Sequence, residues 1–307
     1  MIPKNKPLII CSHPRSGSNF LFNAIRFNTD VFDFPKDNAT FFSSIEHLLL
    51  PGDKSIADDW ISWFERIISQ KNSPIIRTNC LPEDLQKFVK LVPSNKTTVK
   101  IVKYILKKGV FLYIKRDPLE TLVSWYKYAK SGGTITFSGS SLRLQNTKLN
   151  DFCNISNLHK LPHRNFENYD LTTISFLAKH HLLWKKFITK NKNGYIISYS
   201  DLKYDYEKTI NNIFYNLKKD FDLIKIPKNY FKPSTQNKAK YFRKIWKILN
   251  YLFFLKNFKF FKRFENKIIF NMSSSQSPAR EYDKNLEISS NYKKTINKLY
   301  KRAIRSK

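Results

Sequence analysis

The chain has 307 residues, 55 Lys and Arg against 24 Asp and Glu, and a formal net charge of +31. With 41% hydrophobic and 15% aromatic residues it holds enough apolar material for a sizeable core, which excludes disorder for most of its length. Cys11, Cys80 and Cys153 lie far apart without a CxxC spacing, so neither a disulfide scaffold nor a cysteine zinc site is expected. Such a charge attracts nucleic acid, anionic membranes and acidic substrates. The Lys, Asn, Ile, Tyr and Phe bias is also the pattern of AT-rich coding DNA, so charge alone selects no partner. Met1 to Pro7 lack the apolar stretch of a secretory signal, and no apolar run nears the ~20 residues that span a bilayer. A soluble, cytoplasmic protein is expected.

Pro7-Leu8-Ile9-Ile10-Cys11-Ser12 reads as a buried strand. Ser16-Gly17-Ser18-Asn19 supplies turn and cap chemistry, and Phe20, Leu21, Ala24, Ile25 and Phe27 follow at helical spacing, predicting a helix over 18–28. A strand is expected over 31–34, an amphipathic helix over 56–70 and a third strand at 74–78. A helix follows at 82–91. The run Val110-Phe111-Leu112-Tyr113-Ile114 is typical of a central parallel strand, and Pro118 opens a helix to 129. Residues 131–160 read as a long loop, 171–190 as a helix, 195–198 as a strand and 207–217 as a helix. Strands alternating with helices predict βαβ units on a parallel sheet, an α/β fold.

Residues 241–264 carry ten aromatics and seven Lys or Arg with no acid. They suit either an extra helical pair or an amphipathic contact with an anionic membrane surface. Residues 273–278 form a linker-like break, and 285–304 reads as a polar terminal helix. The expected divisions are an α/β domain over 1–235, a basic aromatic helical insertion or extension over 236–272, and a linker and C-terminal helix over 273–307 that packs back on the domain.

The most informative segment is Ser12-His13-Pro14-Arg15-Ser16-Gly17-Ser18-Asn19. A strand that ends in a tight turn and opens a helix aims backbone N–H groups and the positive end of the helix dipole at one point. Gly17 allows close approach, Ser16 and Ser18 add hydroxyls, and Arg15 adds a cation, together a phosphate or sulfate cradle. Phe22 and Asn23 stand where a GxxxxGK loop would need Gly and Lys, and no GxGxxG is present. Arg116 leaves the C-terminal end of a central strand, where ligands bind in open α/β sheets. Ser124 lies about two helical turns further on, so an Arg and a Ser converge on a second anion.

At these residues the chain resembles the sulfotransferases that use 3′-phosphoadenosine 5′-phosphosulfate (PAPS). His13 to Phe20 is similar to that family's 5′-phosphosulfate loop, and Arg116-Asp117-Pro118 with Ser124 to its 3′-phosphate motif. Ile196 to Leu202 is similar to its Tyr-Glu-Asp-Leu strand end. The resemblance implies a P-loop-NTPase-like three-layer α/β/α fold with a central parallel sheet and a helical C-terminal extension. It implies PAPS as donor co-substrate, no metal, and a hydroxyl or amine of a carbohydrate, glycolipid or small metabolite as acceptor. Arg15 would touch the bridging oxygen and the transferred sulfonate, while Ser16, Gly17, Ser18 and Asn19 cradle the 5′-phosphate. Arg116 and Ser124 would hold the 3′-phosphate, and Phe20 and Tyr199 fall where adenine-contacting aromatics stand.

For the base, Asn79 stands where many members carry His, and Asn cannot take a proton from an alcohol. Other branches place a carboxylate after the second strand, which makes Asp33, Asp37 and Glu46 candidates, with Glu46 favoured and His47 the alternative. His13 reads as a capping or core residue. The family's Arg-Lys-Gly lid is matched only by the basic pair Arg243-Lys244, and neither this pair nor Arg280 is assigned. Two other readings of the chain are a P-loop-type nucleotide kinase and a non-enzymatic polyanion or membrane-surface binder. The first lacks the Walker lysine and the second leaves the three ordered motifs unexplained.

Overall fold

The computed structural model describes residues 5–33, 44–49, 54–69, 72–91, 96–130, 148–154, 172–222, 224, 225, 227, 230 and 290–305. The expectations for 236–272, Asp37, Arg243, Lys244 and Arg280 lie outside the described residues. In chain order the elements are β1 Leu8–Ser12, α1 Ser18–Arg26, β2 Phe32–Asp33, α2 Glu46–Leu49, α3 Lys54–Ile68 and β3 Ser73–Thr78. There follow α4 Pro82–Leu91, α5 Lys96–Lys108, β4 Val110–Lys115, α6 Pro118–Lys130 and α7 Leu149–Asn154. The remainder are α8 Thr173–Asn191, β5 Gly194–Ser198, α9 Tyr199–Tyr204, α10 Tyr206–Leu217 and α11 Ser290–Arg305.

The five strands form one parallel sheet in the order β2-β3-β1-β4-β5. β1 and β4 are apolar on both faces because helices cover both. Leu8 and Ile10 of β1 meet Leu21, Phe22 and Ile25 of α1 and Phe214 of α10 on one side. Ile9 and Cys11 meet Phe64 of α3, Val102 and Ile105 of α5 and Trp184 of α8 on the other. Alternate residues of one strand thus nucleate two separate cores, which is the three-layer α/β/α arrangement. The registers Cys11 to Thr78 and Ser12 to Ile114 bring the carboxyl ends of β3, β1 and β4 to one edge.

Four described helices stand where none is expected from the sequence: the short α2 and α9, and α5 and α7. In α5, Ile101, Val102 and Ile105 are buried while Lys96, Lys100, Lys103 and Lys107 are exposed. The apolar stripe is regular, but lysines outnumber it and mask the period. Within the expected loop 131–160, α7 buries Phe152 and Cys153 against its neighbours. At the far end, α11 docks on α8 and α6, with Ile296 seated among Leu122, Ile174 and Leu177. Among the described residues no helix is long and apolar enough to cross a membrane.

Candidate active site

The turn after β1 holds two left-handed residues around Ser16. Arg15 adopts φ 69° and Gly17 φ 105°, both left-handed, and the Ser16 N–H donates to the His13 carbonyl at 3.1 Å. A left-handed φ on a residue with a Cβ costs on the order of 1–2 kcal/mol, so Arg15 needs other contacts to stay there. At Gly17 no Cβ is tolerable, because it would lie 2.4 Å from Cδ2 of the Tyr199 ring. α1 starts immediately afterwards with its first N–H groups unused by the helix ladder. Ser16 Oγ is buried and, among the described residues, has no hydrogen-bond partner.

Arg116 joins this turn from the end of β4. Its Nη1 donates to the Arg15 carbonyl at 3.1 Å, its Nε donates to Glu120 Oε2 at 3.1 Å, and its guanidinium carbon lies 4.7 Å from the Tyr199 ring centre. Tyr199 therefore packs between Gly17 and Arg116 and ties both motifs together. The helix that follows is capped locally, with the Glu120 N–H donating to Asp117 Oδ1 at 2.9 Å and Pro118 in the first turn. Ser124 sits one turn beyond Glu120 on the same face and is half-buried. Tyr128 sits one turn beyond Ser124, and the Arg15 guanidinium carbon lies 4.7 Å from its ring centre. Phe20 turns the other way, edge-on to Tyr206 at 5.9 Å and against the α1-side core.

The neighbouring turn after β3 is of a different kind. Glu46, 4% exposed, accepts at Oε1 from Thr78 Oγ1 (3.0 Å), the Asn79 N–H (2.5 Å) and the Cys80 N–H (3.2 Å). Its Oε2 accepts from Ser44 Oγ. Asn79 Oδ1 accepts from Ser12 Oγ at 3.0 Å, and its carbonyl is 3.2 Å from His180 Nε2. A carbonyl only accepts, so His180 carries its proton on Nε2 and takes the Tyr113 hydroxyl at Nδ1, 3.2 Å away. The side chain of His47 lies outside the described residues. Asp33 stands on the edge strand β2, two strands from β1. His13 is wholly buried against Trp125, Phe176 and His180. Burial, reinforced by His181, lowers its pKa to about 3 against an opposing hydrogen bond to the Pro14 carbonyl. It is neutral and belongs to the core.

The structure thus assembles Arg15, Ser16, Gly17, Arg116 and Tyr199 at one edge, with Ser18 and Asn19 in the first turn of α1. Sequence reasoning missed Glu120 and Tyr128. The i,i+4 spacing of Arg116 and Glu120 was a usable signal. The pairing of Tyr128 with Arg15 had none, because it depends on how β1 and α6 are brought together. Among the described residues no group of three or more His, Cys, Asp and Glu is placed to hold a metal ion.

A parallel sheet in this strand order, flanked by helices on both faces, defines a P-loop-like α/β fold. A family model for the sulfotransferase domain matches residues 5–264, and the chain belongs to that family of transferases. Solved structures that it resembles include mouse sulfotransferase SULT7A1 complexed with PAP. The identity is 17%, the match covers 98% of this chain and 85% of that one, and the TM-score is 0.48. No curated protein matches the chain.

Proposed function

We propose that this sulfotransferase uses PAPS as donor and passes its sulfonate to a hydroxyl or amine of a carbohydrate, glycolipid or small metabolite. The observation that carries the reading is the 3.1 Å bond from Arg116 to the Arg15 carbonyl, which welds two cationic motifs into one site. The residues fit such a donor. Ser16 Oγ is buried without a hydrogen-bond partner among the described residues, and Gly17 keeps the backbone open to close approach. In this reading Ser16, Gly17, Ser18 and Asn19 hold the 5′-phosphate, Arg116 and Ser124 hold the 3′-phosphate, and Tyr199 flanks the base.

When bound, the donor supplies an activated sulfonate on a phosphate leaving group. The protein's task is to place charge where charge develops. Arg15 stays protonated throughout, and its forked donors stabilise negative charge growing on the leaving oxygen without solvent rearrangement. Losing one donor of this kind typically costs about 2.7–4 kcal/mol in the barrier. Glu46 is the proposed proton acceptor. Its Oε2 has the fewer donors, so the Ser44 hydroxyl is the natural relay from an acceptor oxygen to that buried carboxylate. His47 stays the alternative base. Peripheral contact of 241–264 with an anionic membrane belongs to the same proposal and is supported by its ten aromatics and seven basic residues.

Thermal unfolding with 3′,5′-adenosine bisphosphate, ATP or a DNA oligonucleotide at moderate salt tests the donor assignment. The bisphosphate is expected to stabilise the protein by roughly 2.7 kcal/mol at 100 times its Kd. Stabilisation by ATP alone supports a kinase, and binding to DNA alone with steep salt loss supports a polyanion module.

A further inference from the structure

We infer that Tyr128 is a positioning residue for sulfonate transfer, holding the Arg15 guanidinium in the orientation that meets the sulfonate. The inference rests on the donor reading of Arg15 given above. Arg15 is gripped at two points. Its carbonyl accepts from Arg116 Nη1 at 3.1 Å, and its guanidinium lies over the Tyr128 ring at 4.7 Å. Its backbone is left-handed, a conformation that a residue with a Cβ keeps only where its surroundings hold it. The main-chain grip sets where the side chain begins, and the ring contact bears on where it ends.

The same face of α6 serves both motifs. Glu120, Ser124 and Tyr128 follow at i, i+4 and i+8, so they line up along one side of the helix over about 12 Å. Glu120 fixes Arg116, Tyr128 fixes Arg15, and Ser124 stands between them. One rigid element therefore sets the separation and aim of two cations that belong to different strand ends. A planar guanidinium suits a ring face because it stacks and is weakly hydrated. A contact through the ring face fixes the plane of the guanidinium without using its N–H groups in the stack.

Calorimetric binding of PAPS and of 3′,5′-adenosine bisphosphate at low temperature tests this without an acceptor. The two ligands differ by the sulfonate, so their affinity ratio reports the part of the site that Arg15 serves. Tyr128→Leu is expected to lower that ratio by about two- to thirtyfold. Tyr128→Phe, which keeps the ring face, restores it to within about twofold of wild type. Arg15→Ala loses the same selectivity, and adding Tyr128→Leu to it produces no further loss, the signature of coupling. If Tyr128→Leu misfolds, Tyr128→Met carries the same expectation with an unbranched, adaptable side chain. A ratio preserved in the Leu or Met variant but lost in Arg15→Ala overturns the role of Tyr128 and leaves the donor reading standing. A ratio preserved in Arg15→Ala overturns the donor reading itself. Equal weakening of both ligands by Tyr128→Leu marks a packing role only and also overturns the inference.

Discussion

The turns after β1 and after β3 leave adjacent parallel strands at the same edge of the sheet, yet they use polar groups in opposite ways. After β3, the Glu46 carboxylate gathers Thr78, Asn79, Cys80 and Ser44, and Asn79 is further held by Ser12 and His180. After β1, Ser16 Oγ is buried with no hydrogen-bond partner among the described residues, and it lies between two left-handed residues, Arg15 and Gly17. A turn that satisfies itself is a structural brace. The proposed donor site gives the strain and the hydroxyl of the other turn a use, and the contrast can be broken experimentally.

The largest effect is expected where satisfaction is greatest. Glu46→Ala leaves the N–H groups of Asn79 and Cys80 without their acceptor in a buried place, so it should destabilise the fold by about 3–5 kcal/mol. Urea unfolding of the variant against wild type measures this. A loss below 1 kcal/mol shows that water reaches these donors and that the turn after β3 is not a brace. For the proton-acceptor role proposed for Glu46, Ser44→Ala is the cleaner variant. It should slow turnover while leaving bisphosphate affinity unchanged, once an acceptor is in hand.

Arg116→Ala comes next and moves a different quantity. Its neighbours are the Arg15 carbonyl, Glu120 and the face of Tyr199, none of which is a buried unpaired charge once it is gone. Stability should change little. Bisphosphate affinity should fall by roughly 2–4 kcal/mol, about 30- to 1,000-fold, as expected when a phosphate loses its charged partner. A wild-type Kd in this variant would falsify the second half of the site.

How far these contrasts were legible in the sequence follows from their physics. The anion turn and the Arg116 motif are local: a strand, a turn residue and a helix cap lie within ten residues, so spacing exposes them. α5 is also local, and its stripe of Ile101, Val102 and Ile105 could have been read beneath the lysines. The brace is not. Glu46 meets Thr78 and Asn79 because Ser44 and Ile45 pair alongside Arg77 of β3, and His180 arrives from α8. No spacing encodes such meetings. Tyr199 could be assigned to a ligand or to the core from sequence, and the structure shows its ring against Gly17 and Arg116.

Gly17→Ala sharpens the comparison at the ligand-ready turn. The added Cβ meets the Tyr199 ring at 2.4 Å, and φ 105° is unfavourable for any L residue, so about 1–3 kcal/mol of stability should be lost. Ser16→Ala at the adjacent position should cost almost nothing in stability, because its hydroxyl is not spent on the protein. It should weaken bisphosphate binding by about 0.5–1.5 kcal/mol. The pair separates strain from recognition: Ser16→Ala losing stability instead of affinity would place that hydroxyl in the scaffold.

The effect that vanishes at neutral pH concerns the histidines buried behind both turns. His13 and His181 each have a pKa lowered to about 3, chiefly by burial; His181 adds to the effect on His13, and Lys115 to that on His181. The native state keeps both neutral, while the unfolded chain binds protons below about pH 6.5. Their contribution is therefore complete above pH 6.5 and is lost progressively as pH falls toward 3, by about 1.4 kcal/mol per pH unit for each group. His181 also bonds the Tyr300 hydroxyl, so the loss loosens the seat of α11. Urea unfolding at pH 7, 6, 5 and 4 compares wild type with His181→Gln, whose amide can keep the Tyr300 bond. Carboxylates titrate equally in both proteins and drop out of the difference. The acid slope of His181→Gln should be shallower by about one proton, and equal slopes would show that His181 is hydrated in the native state.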